Sequence, residues 1–296
     1  MTLEQLRIFV AVAERQHLTQ AAAALSLTPS AVSASIKALE ERYGTTLFHR
    51  IGRRIELSEE GSIFCEEARR TLASARAAEA TLAELGELRR GSLSIHASQT
   101  IASYWLPAVL VRFRQAYPAI DLLLEMGNTE NVARAVLEGV ADLGFVEGAI
   151  DDPALSNEAV GEDRMVIVVA PGHPWADGRA LQASDLRAAR WILREPGSGT
   201  RSAFEAALAA QGIAPGELQV ALGLPANEAV RSAVMAGPFA TAMSELVVAS
   251  QLQAGLLKTA NFELPVRSFS LLRHRARHRS RAAAAFEACM RGDEPT

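Results

Sequence analysis

The stretch from Gln20 to Tyr43, QAAAALSLTPSAVSASIKALEERY, constrains the chain most: two helical patterns meet there across a turn too short to hold anything but a fixed angle. In its second half Val32, Ile36 and Leu39 stand at i, i+4 and i+7, one apolar stripe of a helix. Ser30, Ser33, Ala34 and Lys37 fall on the opposite face. Thr28 can cap this helix with its hydroxyl, and Pro29 suits the first helical position, where a missing N–H costs nothing. The spacing therefore predicts a helix that starts sharply at Pro29. With a bare N-terminus, small outward residues and one Lys a turn further on, it can enter a DNA major groove without obstruction. Helix pairs of this kind also occur in cores that never touch DNA, so the flanking residues must decide.

The whole chain has a formal net charge of −4, which argues against a general nucleic-acid binder. Between Thr28 and Leu57 the balance reverses, because Lys37, Arg42, Arg50, Arg53 and Arg54 outnumber Glu40, Glu41 and Glu56. Upstream, Leu6, Phe9, Val10 and Ala13 give Leu3 to Arg15 a helical core face, and Thr19 is expected to cap a second, alanine-rich helix. Gly44 should end the third helix. The following LFHRIGRRIELS reads as two short β runs around Gly52, a hairpin with Arg50, Arg53 and Arg54 at its tip. Guanidinium groups there would bind phosphates and fix the register of the helix that reads base edges.

These residues resemble the winged helix-turn-helix of LysR-type transcriptional regulators. The resemblance rests on Ala21-Ala22, Ala31-Val32-Ser33, Leu39-Glu40, Gly44 with Leu47-Phe48, and Arg50, in order and spacing. It implies DNA contacts from Thr28, Pro29, Ser30, Ser33, Ala34, Lys37, Arg50, Arg53 and Arg54. Pro29 stands where the family often has Gln, which shifts base readout toward Ser30, Ser33 and Lys37. His17 stands where a small residue is frequent.

Ser58 to Leu88 lacks proline and is rich in Ala, Glu, Arg and Leu, enough for a helix of about 45 Å. Phe64, Ala68, Thr71, Ala75, Ala78, Leu82 and Leu85 form a heptad-like seam of mostly small side chains, suited to close helix pairing. The resemblance implies a dimerising linker here. After Arg89-Arg90-Gly91-Ser92 the pattern changes to short strands alternating with helices, with strands expected at 93–96, 121–125, 141–146, 165–170, 191–194, 218–222, 239–242 and 269–272. Such sheets bind ligands beyond the strand C-termini, where helix N-termini favour anions. Ser98-Gln99-Thr100, Thr129, Gly197-Ser198-Gly199-Thr200 with Arg201, and Asn227 as a helix cap are the candidate residues. Together they suit a small carboxylate or oxyanion. No G-x-x-x-x-G-K-[ST] loop occurs, so nucleotide hydrolysis fits poorly.

Here too the chain is similar to the LysR family, whose effector domain resembles a type II periplasmic-binding-protein fold of two lobes. REPGSGTR at Arg194 to Arg201, NEAVRSAVMAG at Asn227 to Gly237 and ADLGF at Ala141 to Phe145 look most like the branch that regulates carbon fixation and sulfur assimilation. The expected organisation is a winged helix over 1–58, a linker and dimerisation helix over 59–90, and an α/β effector domain over 91–296. Its lobe I is expected at about 91–162 and 268–296, lobe II at about 163–267. The implied partners are double-stranded DNA with an inverted-repeat operator, a small anionic effector, further copies forming a homodimer or homotetramer, and RNA polymerase. A ligand-independent regulator and a solute-binding-type sensor with no transcriptional role are the alternatives.

An enzyme would need a reactive group with a positioned partner, and no G-x-S-x-G is present. His274 and His278 stand at i, i+4, but Arg275 and Arg277 beside them oppose a metal cation, so no metal or cofactor is expected. The cluster from Arg273 to Arg281 reads as a solvated charged face. Cys65 and Cys289 form no paired spacing and read as buried, inert thiols. The absence of a long apolar run and of a hydrophobic leader points to the cytoplasm.

Overall fold

The computed structural model describes residues 1–51, 54–85 and 91–292. The chain splits into two compact units, Met1–Leu88 with Glu138–Val140, and Arg89–Leu137 with Ala141–Thr296.

The first unit opens with α1 (Leu3–Arg15), started by a capping box in which Thr2 Oγ accepts from the Gln5 N–H and Gln5 Oε1 from the Thr2 N–H. In α2 (Leu18–Ala24) His17 holds the cap position without a side-chain bond. Thr19 is therefore inside the helix and not its cap. α3 runs Pro29–Tyr43; Thr28 Oγ accepts from the Ala31 N–H at 3.2 Å, and Gly44 closes the helix at φ +64°, a conformation that glycine adopts without strain. β1 (Phe48–Ile51) and β2 (Arg54–Leu57) pair antiparallel as the hairpin.

Phe9 is the hub of this core, its ring 5.2 Å from Phe48 and 4.8 Å from Phe64, so one side chain ties α1 to the hairpin and to the long α4 (Glu59–Leu85). Ala21 and Ala22 are fully buried, which lets α2 lie close to its neighbours. The hairpin is fixed to α3 by Glu40, whose Oε1 accepts from the Leu47 and Phe48 N–H groups at 2.8 and 3.2 Å. A Cβ on Gly61 would meet the Leu47 carbonyl oxygen at 2.0 Å, so only glycine fits where α4 passes the hairpin. The first turns of α4 bury Cys65, Ala68 and Leu72 in this same core and pack Phe64 against it. The expected pairing seam is thus partly committed to the winged helix: Thr71 faces solvent, and only beyond it do seam positions such as Ala78 and Leu82 stand free.

The second unit holds two five-stranded sheets. Lobe I orders its strands β4-β3-β5-β12-β6, from β3 (Gly91–Ser98), β4 (Ile120–Gly127), β5 (Leu143–Glu147), β6 (Leu155–Asp163) and β12 (Arg267–His274). β3 pairs parallel with β4 and β5, and β12 pairs antiparallel with β5 and β6. α5 (Leu106–Ala116) and α11 (Arg281–Arg291) cover one face, where Phe113, Phe145, Phe269 and Phe286 are fully buried. α6 (Thr129–Glu138) presses so closely on β5 that a Cβ on Gly144 would meet Val136 at 2.7 Å.

Lobe II orders β11-β7-β10-β8-β9, from β7 (Met165–Val169), β8 (Arg190–Arg194), β9 (Gln219–Leu224), β10 (Ala240–Ser244) and β11 (Lys258–Thr259). The helices α7 (Ala183–Ala188), α8 (Gly199–Ala209), α9 (Asn227–Met235) and α10 (Glu245–Gln253) complete it, with a core around Trp175, Trp191 and Phe204 on one side and Val230, Val234 and Val248 on the other. The chain crosses between lobes twice, at Arg164 between β6 and β7, and over 260–266 before β12. β6 was absent from the sequence expectation because LSNEAVGED carries no apolar alternation; as an edge strand it is held by its ladder to β12. The two-residue β11 is too short to leave a pattern.

The Arg273 to Arg281 cluster is solvated in part, with Arg275, Arg279 and Arg281 exposed, but it is more than a solvated face. Arg273 and Arg279 converge on fully buried Glu287, Arg275 donates to the Leu155 carbonyl, and Arg277 to the carbonyls of Val136 and Leu137. These arginines fasten lobe I together. Cys65 is buried and burial pushes its thiol above the ordinary value, whereas Cys289 is only half-buried, contrary to expectation.

Candidate functional site

Two sets of side chains stand out, one on each unit. On the first unit Val32, Ile36 and Leu39 bury the inner stripe of α3, and this leaves Thr28, Pro29, Ser30, Ala34 and Lys37 exposed on the other side, with Ser33 half-buried between. Thr28 and Ser30 hydroxyls lie 3.0 Å apart at the helix start. Lys37 is met by Glu41 at 3.3 Å, both well exposed, so the one long cation of this face carries an acid beside it. Sequence reasoning had not placed Glu41 there, although i, i+4 spacing marks it. Arg50 is exposed on β1, and Arg54 stands opposite Ile51 on β2. Arg53 lies outside the described residues. A helix face of short side chains flanked by a hairpin arginine can approach base edges while guanidinium groups take phosphates.

On the second unit the candidates from distant parts of the sequence converge along the boundary between the lobes. On one side of the cleft Gln99 donates from Nε2 to the Pro225 carbonyl and accepts at Oε1 from the Asn227 N–H, both at 2.9 Å. Asn227 is therefore the first residue of α9, with Ala226 in the cap position, and its N–H is satisfied across the cleft. Its side-chain Nδ2 donates to Thr100 Oγ at 3.3 Å. Tyr104 reaches Glu228 at 3.4 Å. A short π-helix, Ile101–Trp105, joins the Thr100 loop to α5; such irregular turns recur at functional sites.

On the other side the start of α8 meets lobe I. The Gly199 N–H donates to Thr129 Oγ at 3.1 Å, Thr129 in turn donates to Glu147 at 3.2 Å, and the Glu130 N–H donates to the Gly197 carbonyl. A Cβ at Gly199 would meet Thr129 Oγ at 2.5 Å, and Gly197 adopts φ +85° against Glu130, so both positions need glycine. Ser98, Thr100, Thr129, Ser198, Gly199, Thr200 and Asn227 are all buried here.

The charged residues Arg194, Glu195, Arg267 and Asp163 of this site lay outside the sequence expectation. Arg194 is buried; it forks onto Glu195 at 2.8 and 2.9 Å and donates from its third nitrogen to Asn227 Oδ1 at 2.7 Å. Burial works to raise the Glu195 carboxyl, but the Arg194 guanidinium overrides it, with Asn128 helping, and holds it below the usual carboxylate range. Arg267 pairs with Asp163 at 2.6 Å, lies 3.9 Å from Glu147 and donates to Thr200 Oγ at 3.2 Å. A buried arginine beside a buried carboxylate reads in sequence only as two isolated charges, 104 positions apart here, which is why the pair was invisible. Arg201 is turned to Glu205 at 2.7 Å and to the Arg194 carbonyl, so its charge is already met within lobe II. An open recess of about 410 Å³ lined by Leu110, Val111, Arg114, Asp121 and Leu122 shares none of these residues and lacks their convergent hydroxyls.

The described residues contain no cluster of His, Cys, Asp or Glu able to hold a metal ion, and none of their helices is long and apolar enough to cross a membrane.

Comparison with known proteins covers both units. Residues 3–62 match the family description "Bacterial regulatory helix-turn-helix protein, lysR family", and residues 86–293 match "LysR substrate binding domain". The chain is 37% identical over 288 residues to the uncharacterized HTH-type transcriptional regulator YeiE of Escherichia coli, covering 97% of this chain and 96% of that protein. It is 33% identical to a probable RuBisCO transcriptional regulator of Cyanidioschyzon merolae, with 97% and 96% covered, and 32% identical to the HTH-type transcriptional regulator CysL of Bacillus subtilis, with 89% and 88% covered. Among solved structures, full-length CbnR complexed with its target DNA superposes with a TM-score of 0.68 at 22% identity, covering 99% of both chains, a likeness of fold.

Proposed function

The chain belongs to the LysR family of helix-turn-helix transcriptional regulators, and from that premise we propose that α3 with the β1–β2 hairpin reads an operator while the cleft of the second unit takes a small anionic effector. The relatives are transcriptional regulators, and no catalytic step is assigned to this chain. The observation that carries the effector reading is that residues at strand ends and helix starts hydrogen-bond across the two lobes in two groups, Gln99 and Thr100 with Asn227, and Thr129 with Gly199. A ligand entering there exchanges these bonds for its own, and so changes the relative free energy of open and closed lobes. Anion recognition is supported by the start of α8 and by hydroxyl donors in a buried setting. A probable RuBisCO transcriptional regulator among the relatives, together with the resemblance to the branch that regulates carbon fixation and sulfur assimilation, makes small anionic metabolites and oxyanions the ligands to try first.

Ser30, Ser33, Ala34 and Lys37 are assigned to base edges, and Arg50, Arg53 and Arg54 to phosphates. A two-fold dimer then calls for an inverted repeat with half-sites one helical turn or a multiple apart, in a homodimer or homotetramer. RNA polymerase is the partner through which such a regulator acts, in the cytoplasm. The test is fluorescence anisotropy on an inverted-repeat operator selected in vitro. Ser33→Ala and Lys37→Ala are expected to weaken specific binding at unchanged oligomeric mass, and full affinity in both variants would refute the assignment of α3. Thermal unfolding of the full chain against carboxylates, sulfate, sulfite and phosphate tests the cleft, because a ligand of the native state must stabilise it.

A further inference from the structure

The hydrogen bonds of the cleft carry a direction as well as a position, and their direction can be read because two of the partners are arginines. A guanidinium only donates. Arg194 donates to Asn227 Oδ1 at 2.7 Å, so the amide oxygen of Asn227 must face Arg194 and its Nδ2 must face Thr100. Thr100 Oγ is therefore an acceptor in this contact, and its own proton has no acceptor among the described residues. The same holds at the start of α8. Arg267 donates to Thr200 Oγ at 3.2 Å, which again leaves a hydroxyl proton with no acceptor among the described residues. Ser98 Oγ, two residues before Thr100 and 2% exposed, has no hydrogen-bond partner among the described residues.

Most neighbouring polar groups are spent; the exception is Arg267 Nη2, which lies 2.6 Å from the Asp163 carboxylate but is buried without a well-directed hydrogen bond among the described residues. Thr129 accepts from the Gly199 N–H and donates to Glu147, and the Gln99 amide uses both its ends across the cleft. Each cation near the site is also paired: Arg194 with Glu195, Arg201 with Glu205, Arg267 with Asp163. The cleft thus meets a ligand with donated hydroxyl protons and not with an open cation.

We propose that Arg194 and Arg267 are positioning residues that hold Thr100 and Thr200 as hydroxyl donors, so that the cleft takes ligands presenting acceptor oxygens and rejects donors of the same shape. This rests on the cleft being the effector site, and it deepens that reading. Buried polar sites discriminate strongly on this ground, because a donor facing a donor leaves both unpaired.

The test uses the full chain and two pairs of planar probes of matched shape and opposite polarity, formate against formamidinium and acetate against acetamidinium, with sulfate and phosphate as larger acceptors. Thermal unfolding and calorimetric titration give the affinities. The wild type is expected to be stabilised by acceptors and not by amidiniums. Thr100→Val and Thr200→Val, which remove a donor at constant shape, should each weaken acceptor binding about 10- to 100-fold, as for one hydrogen bond to a charged group. Thr100→Ser and Thr200→Ser should restore it. The double variant Arg194→Met with Glu195→Gln removes one charge of each sign and frees the Asn227 amide to turn over. It should lower the ratio of acceptor to donor affinity by about tenfold or more while Arg194→Lys, still a donor, keeps that ratio.

Preference for amidiniums, binding that survives both valine variants, or an undiminished ratio in the double variant overturns the polarity argument and leaves the cleft as a binding site. Failure of every probe to bind the wild type removes the anionic-effector reading itself, and this inference with it.

Discussion

Replacing Asp163 by alanine should destabilise the second unit far more than any single surface change. Asp163 ends β6, Arg267 begins β12, and these two residues flank the two crossings between the lobes. Their side chains are 1% and 6% exposed, joined at 2.6 and 2.8 Å, and Ser244 donates to the same carboxylate at 2.7 Å. Asp163→Ala strands a buried guanidinium whose remaining carboxylate, Glu147, is 3.9 Å away. Breaking a buried pair from one side costs about 3–5 kcal/mol, because the surviving charge is left desolvated. With a urea m-value of about 3 kcal/mol/M for a unit of this size, the midpoint should fall by about 1–1.7 M. The chain has three tryptophans, Trp105, Trp175 and Trp191, all in the second unit, so tryptophan fluorescence follows that unit alone. Glu147→Gln is the control: it leaves the short Arg267–Asp163 contact whole and should cost about 1 kcal/mol, the scale of one ordinary hydrogen bond. An Asp163→Ala midpoint within about 0.3 M of wild type, which is about 1 kcal/mol at this slope, would mean that Arg267 is not held dry by this pair.

Two further expectations use other parts of the chain. Glu41 sets a negative charge 3.3 Å from Lys37 on the exposed face of α3, so Glu41→Gln should tighten operator binding several-fold at low salt, with the gain fading as ionic strength rises; weaker binding would show that Glu41 aids recognition. For pH, the Glu195 carboxyl is held below its ordinary value although burial opposes this, chiefly by Arg194, while the Glu158 carboxyl is lowered first by its bond to Arg291. A depressed carboxylate contributes stability that is fully present above its unfolded value of 4.5 and is lost as pH falls through the lower folded value. Urea midpoints by tryptophan fluorescence should therefore fall below that pH, and less steeply in Glu195→Gln; equal slopes would rule Glu195 out as a contributor.

Local signals carried the first unit almost whole. Thr28-Pro29 set the start of α3 and Gly44 its end because capping, a missing N–H and a left-handed φ are properties of one or two residues. The strands of the second unit were legible where they are buried and apolar, as in MVIVV of β7, and illegible in β6, whose place is decided by its partner β12. Thr19 and Asn227 show the limit of capping rules: both residue types cap well, yet the backbone placed them just inside their helices. The cleft was legible as a set of loops, since Gly, Ser and Thr at strand ends announce helix starts, but not as a network.

The sequence by itself determined the helix-turn-helix, its exposed face of small residues, the α/β alternation and the polar loops at the strand ends. These follow from periodicity and termini, which act over a few residues. Tertiary structure decided which charges are spent and which donors remain. Arg194 and Arg267 became internal anchors, Arg201 turned to Glu205, and the arginines after Arg273 became ties to Glu287 and to backbone carbonyls. A charge or a hydroxyl has no fixed role until burial removes water as its partner, and here burial brings together partners 33 to 140 residues apart in the chain.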